Sequence, residues 1–267
     1  MLGAVVGDVV GSVYEFNNIK SKKFPLFGPK CRFTDDSVMT MANALAGIEY
    51  IQQNRSVEFF TSKLIQEMKR LGKQYPRVGY GGEFRKWLFS KVSLPYQSYG
   101  NGSAMRVSPV AWIAQSLEET EYLAEASASV THNHSEGIKG AKATAGAIYL
   151  ARTGSSKEAI CDYIQLNYYS LDFTLEQIRP QYQFDVSCQG SVPQAIKAFL
   201  EGRDFEDAIR NAISLGGDSD TIGAITGSIA EAFWGIPEDI ANKARSYLTP
   251  ELQGVEKRFA LAIEKVN

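Results

Sequence analysis

The chain has 267 residues, 44% of them hydrophobic, which is enough for one large core. Its 28 basic and 30 acidic residues leave a net charge of -2, which excludes a general attraction to nucleic acid or to an anionic membrane surface. Cys31, Cys161 and Cys188 are odd in number and lack the paired spacing of a zinc or redox motif, so a reduced, cytoplasmic protein is expected.

The opening run Met1 to Asp8 is apolar but is no secretory signal, because it lacks a basic n-region and Asp8 and Glu15 interrupt it. No later stretch approaches the roughly 18 to 20 apolar residues of a membrane span. Gly3, Gly7 and Gly11 recur every four residues, a spacing with meaning on a helix and none on a strand. They form a smooth stripe that lets another backbone approach closely. Glu15 continues that face. It is either a carboxylate brought near the acidic clusters described below or a solvated helix-end residue.

Residues 17–32 are polar and irregular and read as a loop. They lead into Thr34, Asp35, Asp36 and Ser37, where a hydroxyl and two acids open an apolar helix. Residues 56–71 and 82–90 look helical, joined by a turn-rich stretch that contains Tyr75 and Tyr80. Those tyrosines either stack on an aromatic ligand or serve as partly buried loop anchors, the commoner use.

Tyr99-Gly100-Asn101-Gly102-Ser103 precedes an apolar helix expected over residues 107–115. Two glycines around an asparagine let successive N–H groups point inward as an anion-binding nest, although such a turn is common. A helix over 117–131 carries acids on its solvated face. His132 and His134, the chain's two histidines, have no third soft ligand nearby, which disfavours zinc and favours hydrogen bonding in a polar pocket. Helices are expected over 137–151 and 155–169, and another beginning near Ser191 or Val192 with Pro193 in its first turn.

A helix over 205–214 delivers the chain to Gly216-Gly217-Asp218-Ser219-Asp220-Thr221, a second acid-and-hydroxyl cluster at a helix start. Two more helices follow Pro237 and Pro250. There is no strand series, linker or repeat, so the expectation is an all-α, compact multi-helix fold in which 1–267 form a single domain.

Each acidic cluster is explained locally as a helix cap, but capping needs one such side chain and each cluster has several. If the two helix starts meet, four carboxylates converge. Each pair at about 4 Å then repels by roughly 1 kcal/mol in water and about 4 kcal/mol at an effective dielectric near 20. Bound cations remove that cost. Oxygen-only donors suit magnesium or manganese better than zinc.

These motifs resemble, together and in this order, those of the ADP-ribosylglycohydrolase family. The residues that carry the likeness are Gly7-Asp8 through Glu15, Phe33 to Ser37, Gly100 to Arg106, Thr131-His132, Ser191-Val192-Pro193 and Leu215 to Thr221. The resemblance implies an all-helical fold with two magnesium ions in a cleft. It implies metal ligation by Thr34, Asp35, Asp36, Asp218, Asp220 and Thr221. It also implies a diphosphate-binding loop at Gly100, Asn101, Gly102 and Ser103, a histidine near the ligand at His132, and catalysis by Glu15. The run Gly11-Ser12-Val13-Tyr14-Glu15 is similar to the serine-specific branch. The expected substrate is an ADP-ribosylated protein or a small ADP-ribose conjugate cleaved at C1″. The alternatives are an arginine-linked substrate, a catalytically silent ADP-ribose-binding relative, or a two-metal phosphohydrolase acting on the diphosphate.

Overall fold

A computed structural model describes residues 1–265. Its helices are α1 (Leu2–Gly11), α2 (Asp35–Gln52), α3 (Val57–Gln74), α4 (Gly82–Phe89), α5 (Gly102–Met105), α6 (Ser108–Ile113), α7 (Leu117–Ser129), α8 (Ser135–Arg152), α9 (Lys157–Asn167), α10 (Leu175–Ile178), α11 (Cys188–Leu200), α12 (Phe205–Ser214), α13 (Ser219–Trp234), α14 (Glu238–Arg245) and α15 (Pro250–Ile263). Among the described residues the extended pairing is one isolated bridge between Gly100 and Ser187. No described helix is long and apolar enough to cross a membrane.

The central pair is α1 against α13, and every residue of α1 is buried. Their contact is made by glycine on both sides. A Cβ added at Gly7 would lie 1.9 Å from the Gly223 carbonyl oxygen, and one at Gly3 would lie 2.1 Å from that of Gly227. No side chain larger than hydrogen fits at this separation, so the four-residue glycine spacing sets the register of the two helices. Around this pair, α8, α11 and α12 cover α13, while α2 packs on α3 and α15. Phe60, Phe199, Phe205 and Phe259 fill one continuous apolar core.

Most helix starts are capped by the side chain the sequence offers: Ser56, Ser116, Ser156, Asp204 and Thr249 each accept an N–H of the following turn. The start of α11 departs from expectation. Ser187, not Ser191, caps α11, so Pro193 sits inside that helix instead of in its first turn. The extra turn is held from outside. The Cys188 N–H donates to the Tyr99 carbonyl at 2.9 Å, and the Ser187 hydroxyl accepts from Gly190 N–H. The helix expected over 107–115 is also shorter: it runs from Ser108 to Ile113, and Gly102–Met105 form a separate helical turn before it.

Candidate active site

Three helix ends meet at one cavity of about 400 Å³. Asp35 and Asp36 occupy the first turn of α2, Asp218 stands at the N-cap position of α13 without a side-chain capping bond, and Asp220 lies in the first turn of α13. The third contributor is Glu15, just past the end of α1, and Asp8 inside α1 is buried beside the cavity without lining it. Carboxylate oxygens of Asp8, Asp36 and Asp220 all lie within 4.8 Å of one another, as do those of Glu15, Asp218 and Asp220. Asp220 is therefore common to two acidic groups, and the two distant clusters of the sequence do converge.

Asp8 connects the helices. Its carboxylate accepts from Thr34 N–H at 2.9 Å, the Thr34 hydroxyl at 2.7 Å and Ser37 N–H at 3.0 Å, and also from the Ser37 hydroxyl. A buried helix thus caps the start of α2 while its glycines fix the start of α13. Two consecutive left-handed residues, Gly216 and Gly217, both at φ +71°, turn the chain so that Asp218 faces the cavity. The Asn18 side chain locks this turn to the Glu15 segment: it accepts from Gly217 N–H at 2.8 Å and donates to the Glu15 carbonyl at 2.9 Å. Asn18 and the bridging role of Asp8 escape a reading by motif. An aspartate inside a wholly apolar helix is the signal that could have found the latter, since such a carboxylate is buried only with partners.

The electrostatics follow from crowding. Burial first, and then Asp220, push the Asp35 and Asp36 carboxyls well above the usual range; burial and then Asp218 do the same to Asp220. Burial raises Asp218 to about 6, and burial together with Asp220 raises Glu15 to about 7. Asp36 Oδ1 is buried and has no hydrogen-bond partner. A buried, unpartnered carboxylate oxygen among like charges and a donor set made only of oxygen fit a hard divalent cation.

The facing wall is of another kind. Gly100, Asn101, Gly102, Arg106 and His132 line it. The bridge to Ser187 and the donation from Asn101 N–H to the Val186 carbonyl at 2.7 Å hold the turn in place. Asn101 Nδ2 donates to Asp218 Oδ2 at 2.7 Å and so joins this wall to the acidic one. His132 is buried, with Nδ1 2.8 Å from the Thr131 hydroxyl. Phe184 stands at the edge of the cavity, stacked at 6.2 Å on Phe16, which is 77% exposed.

Not every expected residue faces the cavity. The Ser103 hydroxyl points away and donates to the Gly137 carbonyl at 2.7 Å, because α5 turns it toward α8. The Thr34 hydroxyl is spent on Asp8, whereas Thr221 lines the cavity. His134 caps α8 by accepting from Glu136 N–H and has no place at the site. Tyr75 is a loop anchor that bonds Thr249 and Glu251, and Tyr80 packs on Phe84 at 5.5 Å.

An all-helical fold built around an acid-walled cavity defines a hydrolase of a recognisable kind. A family model described as ADP-ribosylglycohydrolase matches residues 1–266, and the chain belongs to that family. The human ADP-ribosylhydrolase ARH3 is 26% identical, with 92% of this chain and 88% of the relative covered. The ADP-ribosylarginine hydrolase Tri1 of Pseudomonas putida strain GB-1 is 24% identical, with 88% and 70% covered. A solved structure described as an ADP-ribosylglycohydrolase-related protein complex has the same fold, at a TM-score of 0.71, 23% identity, and 99% and 95% of the two chains covered.

Proposed function

We propose that this protein is a magnesium-dependent hydrolase that cleaves the C1″ bond between ADP-ribose and an oxygen-linked acceptor, on a protein side chain or a small conjugate, and releases ADP-ribose. The observation that carries the reading is the convergence of Asp36, Asp218, Asp220 and Glu15 at one cavity, with Asp8 buried beside Asp36 and Asp220 and Asp36 Oδ1 unpartnered. Asp35, Asp36, Asp218, Asp220 and Thr221 would hold two magnesium ions, with the Thr34 hydroxyl committed to Asp8, and manganese satisfies the same donors. When bound, such ions supply charge stabilisation and orientation of sugar hydroxyls and water.

Glu15 does the proton chemistry. Its half-buried carboxylate takes a proton from the water that attacks C1″, the bond from C1″ to the acceptor oxygen breaks, and the proton passes to that oxygen. Asn18 keeps the Glu15 backbone against the Gly216-Gly217 turn, so the base stays beside Asp220. Across the cavity, Gly100, Asn101 and Gly102 would receive the diphosphate, with His132 as a further donor. The serine-like run ending at Glu15 supports oxygen-linked acceptors.

The test is product analysis on serine-, arginine- and O-acetyl-linked ADP-ribose with magnesium or EDTA. The reading expects free ADP-ribose, made faster from the oxygen-linked substrates and abolished by EDTA. Preferred cleavage of the arginine adduct would move the acceptor assignment, and release of AMP with ribose phosphate would replace the reaction by phosphohydrolysis.

A further inference from the structure

Arg106 is 1% exposed and lines the cavity. Its hydrogen bonds go to the Gly102 carbonyl at 2.8 Å, the Ser127 carbonyl at 3.0 Å and the Thr131 hydroxyl at 2.9 Å, and its Nε is buried without a partner. None of these acceptors carries charge. A guanidinium has donors only, so at Thr131 Oγ1 the arginine must donate and the hydroxyl must accept. The one proton of that hydroxyl is then free for another acceptor, and His132 Nδ1 lies 2.8 Å away.

We propose that Arg106 and Thr131 are positioning residues that hold His132 as its Nε2–H tautomer, so that the imidazole presents a fixed donor to an anionic oxygen over the Gly100–Gly102 turn. The opposite tautomer would aim two donors, guanidinium and Nδ1–H, at one oxygen and leave the buried hydroxyl proton without an acceptor, an arrangement disfavoured in buried surroundings. Nε2 is at the turn: a Cβ added at Gly102 would lie 3.0 Å from it and one at Gly100 3.6 Å from it. The bare glycines leave that nitrogen open to the cavity. Arg106, Thr131 and the Tyr96 ring, 6.0 Å away, surround the imidazole, and Arg106 is the charged group acting on it. Burial and then the Arg106 charge keep His132 well below the usual histidine range, so the ring is a neutral donor and not a titrating cation.

The ligand chemistry is that of a diphosphate ester. A buried guanidinium with no carboxylate among its bonded partners favours an incoming anion, and the imidazole N–H supplies direction. The anion's identity rests on the ADP-ribose reading above; the tautomer does not.

The experiment is nitrogen NMR of uniformly labelled protein, in which His132 and His134 are the two histidines to assign, combined with ADP-ribose titration of Thr131→Val and Thr131→Ser. Wild-type His132 should show an acceptor Nδ1 and a protonated Nε2 with no titration between about pH 5.5 and 8. Thr131→Val should mix the tautomers and weaken ADP-ribose binding about tenfold, the worth of one oriented hydrogen bond. Thr131→Ser should restore both. A protonated Nδ1 in the wild type, or a Thr131→Val protein that keeps the wild-type tautomer, would overturn the proposal. Should wild-type protein fail to bind ADP-ribose at all, the substrate reading falls, and the wild-type tautomer still decides this one.

Discussion

The two walls of the cavity are built to opposite electrical rules. One gathers Asp35, Asp36, Asp218, Asp220 and Glu15 from three helix ends, with carboxyls pushed upward and one buried oxygen unpartnered. The other carries a buried guanidinium bonded to neutral acceptors, a depressed histidine and a glycine turn. Each wall leaves uncompensated charge of one sign. Their separation by a single cavity fits a ligand that brings cations to one side and an anionic diphosphate to the other. Asn101, bonded to Asp218, is the polar link between them.

The comparison can be broken most severely at the residue common to both acidic groups. Asp220→Asn keeps the shape and removes the charge, and turnover should fall by at least about 10²–10³-fold, with folding retained. Steady-state kinetics together with a thermal melt separate the two effects. Next in size is Gly7→Val, which drives side-chain atoms into the α13 backbone. Overpacking of this kind costs about 3 kcal/mol or more, so the melting temperature should drop by roughly 6–12 °C in a chain of this length, and both walls should lose their register. An unchanged melt would mean that the α1–α13 contact is looser than described.

Asn101→Ala cuts the link between the walls and leaves both standing. Asp218 loses a bond that lowers its pKa, so affinity for the divalent ion should fall about 10- to 100-fold, read by calorimetric titration with manganese. The smallest effect is in the metal-free protein. Glu15 and Asp218 have folded pKa values of about 7 and about 6, raised from 4.5 and 3.8. A raised carboxyl binds its proton in the folded state after the unfolded chain has lost it. The resulting stability is therefore full below about pH 4 and is lost as pH rises through about 6 to 7. In EDTA the melting temperature should decline by a few degrees over that window, and saturating magnesium should flatten the slope.

Much of this was legible in the sequence, and for identifiable reasons. Helix extents follow from caps and apolar periodicity, so α12 runs over 205–214 as expected. The glycine stripe announced a close backbone contact because only that use explains a four-residue spacing. The acid clusters stood out because Asp35-Asp36 and Asp218-Ser219-Asp220 hold more oxygen than a cap needs. What stayed hidden depends on tertiary direction. Ser103 has the right place in the turn, but α5 rotates its hydroxyl toward α8. The start of α11 departs from expectation because Pro193 is a common first-turn residue, whereas here Tyr99 and Gly100 extend that helix backward through bonds to Cys188 from far along the chain. Arg106 closes the Gly100 to Arg106 run, but its importance comes from the absence of charge on its partners, which the run does not show.

The central claim is that three helix ends share divalent cations, and diffraction from manganese-soaked crystals at the metal's absorption edge tests it most directly. The account predicts anomalous peaks within coordination distance of Asp36 and Asp220, one of them beside Asp36 Oδ1. Ordered crystals with no peak between those two carboxylates, from protein that still releases ADP-ribose in EDTA, would contradict it.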